Sequence, residues 1–126
     1  MAIFRIHKAT NFTTINNYLI RDKNLSLKDK GMMMILLSLP NNWEYSVKGL
    51  EKICKEARNT INSILNNLEK HEYLERRKVY ENGKIKEWRY DIYEIPKSLY
   101  RKIEDIENED IDFEAQLNKE ELNKEE

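Results

Sequence analysis

One segment of the sequence combines a helical apolar stripe with an unusual set of hydrogen-bonding side chains. Between Arg58 and Asn67, the positions off the stripe carry amides, hydroxyls and a guanidinium, and no acidic residue occurs from Asn59 to Leu68. Amide and guanidinium groups pair with the edges of DNA bases, and hydroxyls reach phosphate oxygens. These residue types predict that bases are read by Asn59, Thr60, Asn62, Ser63 and Asn66. The alternative is an ordinary solvated face in a chain that is rich in Asn throughout.

Basic residues surround this segment. Some lie near the starts of two predicted helices, and the others lie on or beside a predicted hairpin. Lys and Arg side chains that neutralise phosphates release counterions and add affinity for any DNA sequence, and a helix start offers free N–H groups. We predict that phosphates are held by Ser46, Lys48, Lys55, Arg58, Arg76, Arg77, Lys78, Lys84, Lys86 and Arg89. Alternatively, Ser46 is a plain N-cap, and the hairpin cations protect a sheet edge from aggregation.

Two short helices joined by a tight turn would position these side chains. Ser46 is a good N-cap, and the helix after it has an apolar inner face made of Val47, Leu50, Ile53 and Cys54. A turn over residues 55–58 leads into a second helix that runs to about His71. Its buried stripe recurs at helical spacing and comprises Ala57, Ile61, Ile64 or Leu65, and Leu68.

A β-hairpin is predicted after the second helix. Residues 73–80 and 85–95 alternate between apolar and polar side chains as strands do. Asn82 and Gly83 between them supply the positive φ values that a two-residue type I′ turn requires. Alternation also predicts a short edge strand over Ala2–Lys8.

An earlier helix begins after Ser26, where Asp29 stands at the position that Glu occupies in a capping box. Pro40 ends this helix near Ser38. Its inner face is predicted from helical spacing to comprise Leu27, Lys30 or Gly31, Met34, Ile35, and Leu37 or Ser38. The order of elements predicts an α+β winged helix-turn-helix domain over residues 1–96, with three core helices, a hairpin wing and an N-terminal strand.

The charge of the chain is divided unevenly. Residues 1–96 contain 17 Lys and Arg against 12 Asp and Glu, whereas residues 97–126 contain 5 against 11. The spacing of Leu99, Ile103 and Ile106 predicts a C-terminal helix, followed by a tail that is partly disordered or ordered by a partner. An acidic tail can compete with phosphate or bind a protein partner, and the alternative is a solubilising extension.

Other classes of function receive little support. His7 and His71 belong to no metal-ligand motif, and no nucleophile-and-base arrangement or glycine-rich phosphate loop is present. We therefore predict a non-enzymatic chain without a metal or cofactor. Cys54 is the only cysteine and falls on the apolar face of a predicted helix, so we expect it to be a packing residue. Because it has no disulfide partner, we also predict a reducing, cytoplasmic compartment. Because no apolar run approaches about 18 residues and no secretory leader is evident, we predict no membrane association.

Four runs of sequence carry a resemblance to a known family. They are Leu19–Gly31, Leu36–Pro40 with Trp43, Gly49-Leu50 with Ile53–Glu56, and Leu68–Leu74. Over about residues 3–95 the chain resembles the N-terminal winged-helix domain of phage and plasmid replication initiators. These are the replisome-organiser and DnaD-like proteins of low-GC Gram-positive bacteria and their mobile elements.

The resemblance implies a domain that binds double-stranded DNA through its third core helix and wing and forms homodimers with help from the N-terminal strand. We expect a sequence-specific DNA-binding protein of a plasmid or phage that acts in replication initiation, partition, conjugative DNA processing or repression. Only a short acidic extension follows Pro96, so we expect either a stand-alone small DNA binder or a fragment. The alternative is a winged-helix interaction module that docks a partner through its acidic tail.

Overall fold

Helices come first along the chain, and a hairpin and a final helix follow. The computed structural model describes residues 2–3, 5–7 and 9–108. Its elements are α1 (Asn17–Arg21), α2 (Leu27–Ser38), α3 (Val47–Ile53), α4 (Arg58–Lys70), β1 (Leu74–Glu81), β2 (Lys84–Ile92) and α5 (residues 97–108). The predicted α+β winged helix-turn-helix class is confirmed: α2, α3 and α4 are the core helices, and β1 and β2 form the wing.

The capping box predicted for α2 is present. The Ser26 hydroxyl accepts a hydrogen bond from the Asp29 N–H at 3.2 Å, and the Asp29 carboxylate accepts one from the Ser26 N–H at 3.0 Å. The predicted inner face of this helix is only partly correct: Leu27 and Met34 are exposed, whereas Ile35 and Leu37 are half-buried against the core. The helix buries Met32, Met33 and Leu36 against the core.

Asp29 also ties α2 to α4. Its side chain is only 3% exposed, and the carboxylate oxygen that caps α2 accepts a second hydrogen bond from the Asn67 amide at 2.6 Å. A buried carboxylate is costly unless its lone pairs are occupied. Because residues from both helices satisfy this carboxylate, it fixes how the start of α2 lies against α4.

The stripe predicted for α4 is the main apolar contribution of that helix to the core. Ile61, Ile64, Leu65 and Leu68 are buried, together with Leu50 of α3 and Leu19 of α1. Two residues predicted for the apolar faces are exposed instead: Ile53 at the last position of α3, and Ala57 at the N-cap of α4. Both lie beside the turn between the helices, where the chain has left the core.

A Schellman motif ends α4 and directs the chain into the wing. The Tyr73 N–H donates to the Leu68 carbonyl at 3.0 Å, and the Glu72 N–H donates to the Glu69 carbonyl at 3.1 Å. Glu72 has a φ of 67°, a left-handed conformation that is usually taken by Gly. The first residues of β1 are therefore held close to the last turns of α4.

The hairpin has the predicted turn. Glu81 pairs with Lys84, so the loop comprises only Asn82 and Gly83, whose φ values are 53° and 78° as a type I′ turn requires. The register shifts between Val79 and Tyr80, which places a bulge near the wing tip. Below the bulge, Arg76 faces Tyr90 and Lys78 faces Trp88 across the strands.

The N-terminal strand predicted for Ala2–Lys8 is wrong for the part of that segment that the structure describes. Residues 2–3 and 5–7 form no strand, and Ile3 and Ile6 are 83% and 79% exposed. A strand forms only where a neighbouring backbone takes up its N–H and C=O groups, and the hairpin sheet contains β1 and β2 alone among the described residues.

The predicted C-terminal helix is present as α5. The Lys97 N–H donates to the Glu72 carbonyl at 2.9 Å, and the Ser98 hydroxyl donates to the Glu72 carboxylate at 2.8 Å. These bonds attach the start of α5 to the corner between α4 and β1. The predicted properties of the acidic tail beyond residue 108 lie outside the described residues.

A partly buried hydrogen bond is expected to make stability depend on pH. The Tyr73 hydroxyl donates to the Asp22 carboxylate at 2.5 Å. Burial acts to raise the pKa of Asp22, but hydrogen bonds from Tyr73 and from the Asn24 N–H together hold that pKa below its ordinary value of 3.8. A depressed carboxyl pKa contributes stability that is present above the unfolded-state pKa and is lost as pH falls through the folded-state pKa.

We therefore expect Tyr73→Phe to destabilise the protein at neutral pH and to matter less in acid. The wild-type advantage in urea denaturation should be full above about pH 5 and should shrink as pH falls below 3.8. A difference between the two proteins that stays constant from neutral pH to pH 3 would show that the tyrosine hydroxyl acts without the ionised carboxylate.

Candidate nucleic-acid interface

The outward side of α4 presents a continuous line of polar residues. The line consists of four exposed residues that lie opposite the buried stripe at spacings of four, three and four: Asn59, Ser63, Asn66 and Lys70. We call these four residues the α4 ridge. It extends for about 16 Å along the helix axis and contains no carboxylate.

The five predicted base-reading residues are divided by the fold. Asn59, Ser63 and Asn66 belong to the α4 ridge, whereas Thr60 and Asn62 are half-buried on its two flanks. Thr60 lines a groove shared with α2, and Asn62 lines a cleft shared with α3 and the wing. The ridge residues are therefore exposed to an incoming ligand, and the flanking pair is positioned to contact its edges.

A cleft of about 540 Å³ separates the wing from the start of α3 and one flank of α4. Its polar lining comprises the N-cap Ser46 and Lys48 of α3, Asn62 of α4, and the paired Glu69 and Arg76. The aromatic rings of Trp88 and Tyr90 form the wing side. The Ser46 hydroxyl accepts a hydrogen bond from the Gly49 N–H at 2.9 Å, so the predicted N-cap is present. Lys48 is exposed and forms no ion pair with any described residue.

Arg76 is occupied by contacts within the domain. Its side chain is 12% exposed, and its guanidinium forms an ion pair with Glu69 that includes an Nε–Oε1 hydrogen bond of 2.7 Å. The same guanidinium donates to Asn66 Oδ1 at 2.8 Å and lies 5.9 Å from the centre of the Tyr90 ring. This arrangement does not favour the predicted phosphate contact, and it makes Arg76 a clamp that fixes Asn66 against the wing.

The remaining wing cations lie on two faces and at the tip. Lys78 lies 5.1 Å from the centre of the Trp88 ring on the face that carries Arg76. On the opposite face, Arg77 and Arg89 are cross-strand partners. Arg77 lies 3.7 Å from the Asp91 carboxylate, and Arg89 lies 3.4 Å from the Glu87 carboxylate. Lys84 adjoins the turn, and Lys86 lies 3.4 Å from Glu81.

These outer ion pairs are weak. Both partners in the Arg77, Lys86 and Arg89 pairs are about half exposed, and exposed pairs contribute roughly 0–1 kcal/mol. A phosphate group can therefore replace the carboxylate at little cost. Arg58 at the start of α4 donates to Glu51 at 2.7 Å, and its side chain is as exposed as those of the wing cations. Lys55 in the turn is also exposed.

An aromatic stack sets the position of the wing. Tyr45 stacks on Tyr90 with ring centres 5.5 Å apart, and Trp43 meets Tyr45 edge-on at 5.1 Å. The Tyr45 hydroxyl donates to the Leu36 carbonyl at the end of α2 at 3.0 Å. A Cβ added at Gly49 would meet the Trp43 ring at 3.1 Å, so a glycine at this position allows α3 to lie close to the Trp43 ring.

Sequence reasoning missed two lysines of this surface, one within the α4 ridge and one beside it. Lys70 continues the ridge spacing, so helical periodicity extended by one turn would have identified it. Lys28 lies on α2 but lines both grooves between α2 and α4, and it is 35 residues from Ser63 in sequence. No local pattern indicates such a long-range neighbour.

Comparison with protein families gives one match. Residues 23–74 match the family described as "Helix-turn-helix domain". The match covers α2, α3 and α4 and ends at the first residue of the wing. The fold and this match together define the domain as a winged helix-turn-helix, a class whose general role is DNA binding.

Two further comparisons were negative. No curated protein and no solved structure matches the chain significantly. In the described ranges, no helix is both long and apolar enough to cross a membrane.

Proposed function

We propose that this chain is a non-enzymatic protein that binds specific sequences of double-stranded DNA as a homodimer. The observation that carries the proposal is the α4 ridge, an exposed, carboxylate-free row of amide, hydroxyl and ammonium groups on the helix that the fold offers to the major groove. Asn59, Ser63 and Asn66 would read bases, and Asn62 and Thr60 would contact the edges of the site.

The phosphate contacts come from the flanks in this proposal. Lys48 and Ser46 would hold one strand beside the cleft, with Lys55 and Arg58 next to them at the turn. The wing would add Lys78, Lys84 and Lys86, and Arg77 and Arg89 would exchange their carboxylates for phosphate. Arg76 is assigned to positioning Asn66, since its guanidinium is already paired.

The resemblance to replication initiators supports a role on a plasmid or phage genome, in replication initiation, partition, conjugative DNA processing or repression. All four processes require the same activity, recognition of a duplex site, so site-specific binding is the property to test first.

A second candidate function is a protein-interaction module. The exposed Tyr100, Ile103 and Ile106 of α5 favour it, since they leave apolar surface open on the described part of the acidic extension. This function predicts no affinity for duplex DNA, so the same binding assay separates the two candidates.

The proposal is tested by two variants with different expected signatures. Asn59→Ala should weaken binding to a preferred duplex by about 1–3 kcal/mol and leave binding to a random duplex nearly unchanged. Lys84→Gln should weaken binding to both duplexes equally and reduce the slope of log K against log salt by about 0.9. Fluorescence anisotropy measures both effects. Equal losses on the two duplexes for Asn59→Ala would contradict its base-reading role.

A further inference from the structure

A groove of about 420 Å³ runs between the start of α2 and the flank of α4 that faces away from the wing. Lys28 lines it from α2, and Ser63, Asn66 and Lys70 line it from α4. We propose that this groove holds the phosphate backbone of one DNA strand, with Lys28 and Lys70 as its cationic contacts. The inference rests on the proposed function, and it adds α2 to the DNA-binding surface.

The dimensions of duplex DNA require contacts on both flanks of the helix. The major groove is about 12 Å wide, and an α-helix with its side chains is about 10–12 Å across. A helix seated in the groove therefore has one phosphate backbone beside each flank. The start of α3 and the wing cover one flank of α4, and the start of α2 covers the other. The second backbone consequently meets Lys28 and Lys70.

The two lysines of the groove suit a phosphate. Lys28 and Lys70 form no ion pair with any described residue, so both ammonium groups can bind an anion. Ser63 and Asn66 also line the groove, but they belong to the α4 ridge and are assigned to the bases, so the phosphate contacts come from the two lysines.

Two carboxylates line the grooves between α2 and α4, and neither forms an ion pair with Lys28 or Lys70. Asp29 lines the same groove, but it is buried and accepts hydrogen bonds from the Ser26 N–H and the Asn67 amide. Glu56 lines the adjoining groove with Lys28 and forms no ion pair with it. The surface between α2 and α4 therefore keeps two cations for an approaching polyanion.

Salt-dependent binding tests the inference. The full chain and the variants Lys28→Gln, Lys70→Gln and the double variant are titrated with a fluorescent random duplex between about 50 and 200 mM salt. Each single substitution should lower the slope of log K against log salt by about 0.9, and the double substitution by about 1.8. Lys102→Gln on α5 is the charge-matched control and should retain the wild-type slope.

Substitution by Arg separates charge from structure. Lys28→Arg and Lys70→Arg keep the cation and should retain the wild-type slope, and thermal denaturation should show that all the variants fold. A double Gln variant that folds and keeps the wild-type slope would overturn the inference and leave the proposed function standing. If the wild-type chain binds no duplex at low salt, the proposed function fails and the inference fails with it.

Discussion

Ser63→Glu should strongly weaken binding to duplex DNA of any sequence without unfolding the domain. Ser63 lies in the middle of the α4 ridge, it is exposed, and α4 contributes four other residues to the core. A carboxylate at this position would face the phosphates on both sides of the major groove, and like charges brought together at an interface cost several kcal/mol. We expect the affinity to fall by at least about 100-fold, which corresponds to about 3 kcal/mol.

The matched control is Asn17→Glu, which makes the same change in net charge at an exposed position on α1, outside the α4 ridge and its flanks. It should change the affinity less than about threefold, because screening weakens exposed charges that lie beyond about 10 Å. Similar losses for the two variants would show that overall charge, and not contact with α4, governs binding.

Among the polar residues discussed in the Results, Asp29 should be the one whose replacement by alanine destabilises the domain most. One oxygen of this buried carboxylate accepts hydrogen bonds from the Ser26 N–H and from the Asn67 amide. Alanine removes the reciprocal cap of α2, at a cost of about 1 kcal/mol, and it leaves a partly buried amide donor without its partner, at a cost of about 1–3 kcal/mol. The expected loss is about 2–4 kcal/mol in the free energy of unfolding, measured by urea denaturation.

Asp29→Asn provides the control for geometry. An amide oxygen can replace the single carboxylate oxygen that accepts both hydrogen bonds, so this variant should lose less than half as much stability as Asp29→Ala. If the two variants were equally destabilised, the negative charge and not the pair of hydrogen bonds would account for the role of Asp29. A loss below about 1 kcal/mol for Asp29→Ala would contradict the account of the α2–α4 link.

The sequence predicts well those parts of the fold where neighbouring residues differ strongly in polarity or in backbone preference. In α4, apolar residues alternate with amides, so the stripe of Ile61, Leu65 and Leu68 is readable from spacing alone. The Asn82-Gly83 turn follows from backbone conformations that few other residues adopt. In α2, by contrast, residues 32–37 are all apolar, so periodicity could not choose between Met33, which is buried, and Met34, which is exposed.

Long-range pairing explains what the sequence could not reveal about the site. Arg76 is of a residue type that commonly contacts phosphates. The reversal of the chain at Glu72, however, brings its guanidinium against Glu69 and Asn66. The N-terminal alternation predicted a strand, whereas strand formation depends on whether another backbone lies alongside. The ridge residues were identifiable because their exposure follows from helical geometry alone.

The most direct test of DNA recognition is a fluorescence-anisotropy titration of the full chain at two salt concentrations. The two ligands are the DNA upstream of its own gene and a scrambled duplex of the same length and composition. The account predicts tighter binding to the native sequence and a marked loss of affinity for both duplexes at the higher salt concentration. Absence of binding to either duplex at low salt would contradict it.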